Sequence, residues 1–187
     1  LGGTILGTSR GPEDPAVMVD ALRRWGVQIL FCVGGDGTQR GALALDEEAR
    51  RQGYKLAGVG VPKTIDNDIQ HVSRTFGYGT AVEAARAVID VAHNEARAVV
   101  NGVGLVKLMG RDSGFIAVGA TLASGEVNYC LIPEQTFTLE ALFAELETRL
   151  ARKRHAVIVV AEGAGQNLMA DLPSERDASG NVKRGDI

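Results

Sequence analysis

The sequence is poor in the residues that mark several common classes of protein. Its 187 residues include only two cysteines and three histidines, and its net charge is -3. The lack of a basic block argues against a nucleic-acid partner, and no apolar run approaches the length that a bilayer span requires. No Cys/His cluster indicates a zinc site, and no secretory signal is visible at the start.

The cysteines and the overall composition indicate an ordinary globular protein. Cys32 and Cys130 both fall in strands that the apolar pattern predicts to be buried. We therefore expect reduced core thiols rather than a disulfide, as is typical of a cytoplasmic protein. A hydrophobic fraction of 45% and a charged fraction of 23% agree with a domain that buries a single core.

Predicted strands and helices alternate along the chain. The almost continuous apolar run from Val27 to Val33 is typical of a strand buried on both faces. The pattern predicts strands over 27–33, 55–61, 102–108, 129–132 and 156–161, and helices over 39–52, 80–98, 113–123 and 139–152. This order predicts an α/β fold with a doubly wound, mostly parallel sheet and helices on both faces. One domain over 1–173, followed by a polar tail over 174–187, is the simplest organisation.

A glycine-rich segment, Gly34 to Thr38, follows the first predicted strand and precedes a predicted helix. Glycines let backbone N–H groups approach a phosphate, and the helix dipole favours its charge. Asp36 within this segment would repel a phosphate unless a Mg²⁺ ion lies between them. The alternative is a plain strand-to-helix turn with Asp36 as the N-cap.

A second polar segment, Thr64 to Asp68, follows another predicted strand and carries two carboxylates. In an extended segment Asp66 and Asp68 would point to one side, with Asn67 opposite. Paired acids of this kind serve as general bases and as Mg²⁺ ligands. The alternative is a polar surface loop, in which Asp and Asn are common.

Four motifs occur in one order along the chain: Gly34 to Thr38, Pro62 to Asp68, Met109 to Gly114, and Ala161-Glu162-Gly163. Together they resemble the motif series of the 6-phosphofructokinase family, and Leu6 to Arg10 resembles it as well. The resemblance extends from the first residue to about Gln166. Gly37, Lys63 and the tail from Gly180 to Ile187 look most like the plant and kinetoplastid branch of that family.

The resemblance implies a cytoplasmic, Mg²⁺-dependent kinase of glycolysis that transfers the γ-phosphoryl group of ATP to the 1-hydroxyl of fructose 6-phosphate. Asp66 would be the general base, Thr64 would donate a hydrogen bond to the moving phosphoryl group, and Arg111 would offset its charge. The family pattern places the acceptor sugar against Thr64, Asp66, Asp68, Met109, Gly110, Arg111 and Glu162.

The same resemblance implies the residues for the donor and the metal. ATP would be bound by Arg10, Gly34, Gly35, Gly37 and Thr38, and Mg²⁺ by Asp36 and Asp68. Several of these side chains also have an ordinary structural explanation. Arg10 could be a surface arginine, Met109 could fill a core, and Glu162 could cap a turn.

Two residues give opposite indications about the phosphoryl donor. In the family, a glycine at the position of Gly37 accompanies ATP, because a side chain there would intrude on the nucleotide. A lysine at the position of Lys63 accompanies pyrophosphate, for which it supplies positive charge. We give Gly37 more weight, because a steric block is harder to evade than an extra cation, and keep pyrophosphate as the alternative donor.

Other features of the chain bear on its assembly and on competing functions. Both ends look cut, so we expect N- and C-terminal parts that complete the enzyme, and the resemblance implies a homo-oligomer, either a dimer or a tetramer. Short bacterial members of the family carry an arginine for the sugar phosphate where this chain has Gly102.

A silent nucleotide-binding regulatory subunit would have lost the acids that are intact here. A lipid kinase shares only the glycine-rich segment, and a dinucleotide-binding dehydrogenase would need a Gly-x-Gly-x-x-Gly turn.

Overall fold

The computed structural model of the protein describes Ile5 and residues 13–169. These residues form two compact units, one ending at Val61 and the other beginning at Pro62. Helices and strands alternate, and neighbouring strands of the second unit run parallel, so the predicted α/β class is confirmed. In the described ranges no helix is long and apolar enough to cross a membrane. The division at residue 173 remains a prediction, because the tail lies outside those ranges.

Within residues 13–61 the first unit contains α1 (Pro15–Arg24), β1 (Ile29–Gly34), α2 (Asp36–Arg51) and the start of β2 (Ala57–Thr64). Helix α1 begins where Asp14 accepts a 2.9 Å hydrogen bond from the Ala16 N–H and Pro15 occupies the first turn. Sequence reasoning missed α1, although this Asp-Pro start was visible. Helix α2 packs against both α1 and β1.

Strand β1 is half-exposed rather than buried on both faces. Ile29, Phe31 and Val33 are 60%, 64% and 59% exposed, whereas Leu30 and Cys32 on the other face are half-buried. The prediction of burial on both faces is therefore wrong within the described residues. Side chains alternate along a strand, and α2 covers one face of it. Cys32 and Cys130 are free thiols, as expected, but half-buried rather than fully buried.

The second unit carries most of the regular structure. In chain order its elements are β3 (Phe76–Gly77), α3 (Tyr78–Ala98), β4 (Gly102–Leu108), α4 (Phe115–Ser124), β5 (Tyr129–Leu131), α5 (Leu139–Lys153), β6 (His155–Ala161) and a 3₁₀ turn (Gln166–Met169). Strand β6 lies between β4 and β5 in a parallel sheet. Strand β3 pairs with the last two residues of β2, Lys63 and Thr64.

Helices cover both faces of β6, as the sequence predicted. On one face Val157, Val159 and Ala161 pack with buried residues of α3 and α4, including Ile89 and Ala117. On the other face, Ile158 and Val160 pack against side chains of β5 and α5. This arrangement explains why β6 is uninterruptedly apolar from Ala156 to Ala161: a strand in a covered parallel sheet has no solvent face.

Close approach of α3 to β4 depends on two glycines. Gly102 and Gly104 point to one face of β4 and meet Ala96 and Ala92, which are one turn apart on α3. A Cβ at Gly104 would lie 2.8 Å from the Ala92 carbonyl oxygen, and one at Gly102 would collide with the Ala96 carbonyl. An arginine at residue 102 would therefore require α3 to move away from β4 in this protein.

Element boundaries differ from the predictions mainly at the glycine-rich segment and the acidic segment. Helix α2 begins at Asp36 instead of residue 39, so Asp36, Gly37 and Thr38 lie in its first turn. Strand β2 runs to Thr64 instead of ending at residue 61. Glycines and a proline lower the local helix and strand propensities of these segments, and tertiary contacts override them.

Replacement of Gly102 by alanine should destabilise the fold. The added Cβ collides with backbone, which cannot rotate away, so α3 must shift; we expect a loss of about 1–3 kcal/mol in the free energy of unfolding. Urea denaturation would measure it. The matched control is Gly58→Ala in β2, where a Cβ meets no atom within 4 Å and we expect a change within about 0.5 kcal/mol. Equal stability of the two variants would contradict the packing argument.

Candidate active site

The residues predicted to form the site are divided between the two units. The glycine turn, Gly34 to Thr38, belongs to the first unit. The acidic turn, Thr64 to Asp68, and the Met-Gly-Arg turn, Met109 to Gly114, belong to the second, together with Glu162. Arg10 lies outside the described residues, so its predicted role in donor binding stays a prediction.

The glycine turn presents an uncapped helix N-terminus. Strand β1 ends at Gly34, and Gly35 is the N-cap of α2, with no side chain to satisfy the first N–H groups of the helix. These N–H groups and the helix dipole favour an anion at this end. The alternative in which Asp36 is the N-cap is wrong, because Asp36 is already helical.

The shape of the glycine turn is fixed by contacts that sequence reasoning missed. A Cβ at Gly34 would collide with the Thr38 side chain, so only glycine fits there. The Gln39 Nε2 donates to the Gly34 carbonyl at 2.9 Å and to the Val61 carbonyl at 3.0 Å. This amide therefore ties the end of β1 to β2. A glutamine inside a helix carries no sequence signal for such a bridge.

Asp36 and Gly37 differ in what surrounds them. The Asp36 carboxylate lies 2.5 Å from the Arg40 guanidinium, one helical turn later, and both side chains are largely exposed. An exposed pair of this kind contributes little stability, so Asp36 can exchange Arg40 for another cation. A Cβ at Gly37 would meet nothing within 4 Å. The protein thus leaves open space where the family pattern places the nucleotide.

The acidic turn is not extended, which corrects the predicted geometry. Asn67 has φ of 57° and is buried, and its Oδ1 accepts a 2.8 Å hydrogen bond from the Thr75 N–H. Asp66 is half-buried and Asp68 is exposed. Asn tolerates the left-handed region because its short polar side chain bonds locally. The turn therefore points Asn67 inward, and its neighbours Asp66 and Asp68 still interact.

The Asp66 carboxyl group lies among other acids. Its pKa is raised above the ordinary value of 3.8, chiefly by burial and then by the carboxylates of Asp68, Glu162 and Asp112, in that order. The acidic turn, the Met-Gly-Arg turn and the end of β6 therefore meet around one carboxyl group. A raised pKa favours a carboxylate that accepts a proton, which is the property a general base requires.

The Met-Gly-Arg turn is held against the end of β6. Glu162 N–H donates to the Leu108 carbonyl at 2.8 Å, and Gly163 N–H donates to the Gly110 carbonyl at 3.0 Å. Gly110 has φ of 135°, a conformation that only glycine adopts readily. These bonds continue the β4–β6 pairing beyond the strands and bring Glu162 beside the turn.

The side chains predicted to contact the ligands differ in exposure. Met109 is 59% exposed, so the alternative in which it fills a core is wrong. Arg111 is half-buried, Glu162 is exposed, and Lys63 is exposed near the end of β2.

Sequence reasoning also missed Glu134, whose carboxylate accepts from the Gly114 N–H at 2.8 Å and 3.1 Å and caps α4.

The described residues contain no ready-made metal cluster. Within residues 13–169 no group of three or more His, Cys, Asp or Glu side chains is arranged to hold an ion. Mg²⁺ is ordinarily held by one or two carboxylates together with substrate phosphates and water. The exposed carboxylates of Asp36 and Asp68 have the chemistry that such a site needs, and their shared role stays a prediction.

Comparison with known proteins identifies the family. A model of the phosphofructokinase family matches residues 1–184, and the chain belongs to that family. It is 55% identical to a Trypanosoma brucei brucei protein named ATP-dependent 6-phosphofructokinase, over all of this chain and 38% of that protein. An Arabidopsis thaliana ATP-dependent 6-phosphofructokinase 1 is 52% identical over all of this chain and 41% of its own length.

A solved structure shows the same fold. The pyrophosphate-dependent phosphofructokinase of Marinobacter aquaeolei superposes with a TM-score of 0.73 at 28% identity, covering 87% of this chain and 43% of that one. The predicted family and fold class are therefore confirmed. The chain spans about two fifths of the length of the curated relatives described above.

Replacement of Asp66 by asparagine should stabilise the unliganded protein at neutral pH. The folded-state pKa of Asp66 is raised, so its ionised form costs stability as the pH rises through that pKa. The gain should disappear near pH 3, where the carboxyl group is protonated in both states. Thermal melting at pH 7 and pH 3 would measure it. The control Asp90→Asn loses an ion pair with Arg86 and should give no increase in melting temperature. A lower melting temperature for Asp66→Asn at pH 7 would contradict the conclusion that the pKa of Asp66 is raised.

Proposed function

We propose that the protein containing this chain transfers the γ-phosphoryl group of ATP to the 1-hydroxyl of fructose 6-phosphate, as a Mg²⁺-dependent 6-phosphofructokinase of glycolysis. The observation that carries the proposal is the half-buried Asp66, with its raised pKa, beside Glu162 and the Met-Gly-Arg turn. The names of the relatives in trypanosomes and plants support it.

Asp66 and Thr64 would act on the reacting groups. The Thr64 Oγ1 accepts a hydrogen bond from the Asp66 N–H at 3.3 Å, which leaves the hydroxyl proton free to be donated to the moving phosphoryl group. Asp66 would accept the proton of the sugar hydroxyl as the transfer proceeds. Positioning and charge stabilisation account for most of catalysis in phosphoryl transfer. This turn would contribute the positioning, and Arg111 and Mg²⁺ would contribute the positive charge.

The acceptor would bind at the Met-Gly-Arg turn. Met109 offers an exposed apolar contact, and Gly110 brings backbone close because it has no side chain. Arg111 can fork onto two phosphate oxygens and offset the developing charge. Glu162, exposed beside the turn, would accept hydrogen bonds from sugar hydroxyls.

The donor side would use the glycine turn. Gly34, Gly35, Gly37 and Thr38 lie at the N-terminus of α2 and would approach the phosphates of ATP, with Arg10 as a further cation. Mg²⁺ would supply positive charge between donor and acceptor, and Asp36 and Asp68 would offer carboxylate oxygens for it. Such an arrangement would explain why the glycine turn, which would bind phosphate, carries the acid Asp36.

Pyrophosphate is the second candidate donor. Lys63 is an exposed cation near the end of β2, and the Marinobacter aquaeolei structure is that of a pyrophosphate-dependent enzyme. The open space at Gly37 and the higher identity to proteins named ATP-dependent favour ATP. A coupled assay of the full-length protein with fructose 6-phosphate and Mg²⁺, comparing the two donors, decides between them.

The free, half-buried thiols of Cys32 and Cys130 support a reducing compartment, and we propose the cytoplasm. A homo-oligomer, either a dimer or a tetramer, is the proposed assembly. Size-exclusion chromatography with light scattering on the full-length protein would test it.

A side chain at Gly37 should select against ATP. Gly37→Asp places a carboxylate in open space within the first turn of α2, so we expect kcat/KM with ATP to fall more than with pyrophosphate. Gly41→Asp is the matched control, because it lies one turn later on α2 with equally open surroundings. Equal losses with both donors would remove the steric argument for ATP.

Asp66→Asn and Asp68→Asn should have different kinetic effects. Loss of the base should lower kcat about 10²–10⁴-fold and largely spare the KM for fructose 6-phosphate. Loss of Asp68 should instead raise the Mg²⁺ concentration that gives half-maximal rate. Steady-state kinetics at varied Mg²⁺ measures both, with Asp90→Asn on α3 as the control. A near-normal kcat for Asp66→Asn would show that Asp66 is not the base.

A further inference from the structure

Ser113 contacts the backbone of the acidic turn. It is 6% exposed, and its Oγ donates a 3.1 Å hydrogen bond to the carbonyl oxygen of Asp66, which is 47 residues earlier in the chain. The bond joins the Met-Gly-Arg turn, proposed to contact the acceptor sugar, to the turn that carries the proposed base. Sequence reasoning included Ser113 in a motif and assigned it no role.

The backbone around Ser113 is held by its neighbours. A Cβ at Gly110 would lie 2.5 Å from the Ser113 carbonyl oxygen, so the turn folds tightly on itself there. The next residue, Gly114, donates its N–H to Glu134. Because the backbone is held on both sides of Ser113, its hydroxyl donates to the Asp66 carbonyl from a well-defined position.

The acidic turn is held at two further points. The Asp66 N–H donates to Thr64 Oγ1, and Asn67 Oδ1 accepts from the Thr75 N–H. The Thr75 hydroxyl donates to the Thr64 carbonyl at 2.8 Å. These bonds involve neighbours within the same loop, whereas the bond from Ser113 fixes that loop relative to the acceptor-binding turn.

We propose that Ser113 is a positioning residue that sets the place of Asp66 relative to the acceptor sugar. The proposal rests on the proposed function for the role of Asp66. The Ser113 hydroxyl bonds the Met-Gly-Arg turn to the acidic turn. A sugar bound at Met109 to Arg111 would therefore lie at a fixed distance from the Asp66 carboxylate. Small misplacements of a reacting group are costly, since a shift of about 1 Å can reduce a rate about 10²-fold.

The test is a double-mutant cycle in the full-length protein. Ser113→Ala should lower kcat about 10–100-fold with little change in the KM for ATP. In an Asp66→Asn background the same substitution should change kcat less than about twofold, because a residue that acts through Asp66 has no further effect without it. Ser124→Ala is the matched control, because Ser124 lies at the end of α4 and its hydroxyl accepts a hydrogen bond from the nearby Glu126 N–H.

A second measurement does not depend on turnover. Amide hydrogen exchange over residues 64–68 should speed up about 3–10-fold in Ser113→Ala, and remain unchanged in Ser124→Ala, if one hydrogen bond is lost from the acidic turn. Additive losses of kcat in the two backgrounds, or unchanged exchange, would overturn the role of Ser113. If the unaltered protein used neither donor, the proposed function would fail, and the exchange result would still decide whether Ser113 holds the turn.

Discussion

The parallel pairing of β4 with β6 is the constraint on which the second unit depends. The two strands are in register from Gly102 and His155 to Leu108 and Ala161, so both end at the same level. The N–H groups of Glu162 and Gly163 then continue the pairing into the following turns. Because the strands end level, an acid after one strand and the Met-Gly-Arg turn after the other are brought side by side.

The same pairing explains which residues are small. Strand β6 is covered on both faces, and α3 approaches β4 closely enough for glycine to be required at 102 and 104. Because the backbone of β4 and β6 is closely packed, the turns that follow these strands begin at well-fixed positions. Side chains in these turns are therefore attached to a rigid scaffold. The glycines beyond the strand ends are under different constraints, since Gly110 adopts a positive φ, whereas a Cβ at Gly37 in the first turn of α2 would meet no atom within 4 Å.

Negative charge is concentrated around the Asp66 carboxyl group in the second unit. Asp66, Asp68, Asp112 and Glu162 interact although they come from three separate segments, and their repulsion destabilises the unliganded protein. A phosphate donor would be repelled as well unless cations intervened. This electrostatic cost is understandable if the protein works with Mg²⁺ and arginine at the site, as the proposed phosphoryl transfer requires.

The sequence by itself determined the class of fold, the order of most of the elements and the identity of the family. Apolar runs and helical stripes follow from local periodicity, and the four motifs sit at the strand ends where a parallel sheet collects ligands. Tertiary structure decided the rest. The inward turn at Asn67 depends on its hydrogen bond with Thr75 in the same loop, and the exposed face of β1 depends on which elements pack against that strand. The bridge from Gln39 to Val61 and the bond from Ser113 to Asp66 depend on contacts between segments far apart in the chain. Local propensity carries no information about such contacts, because a hydrogen bond to a distant carbonyl is fixed only once both backbones are in place.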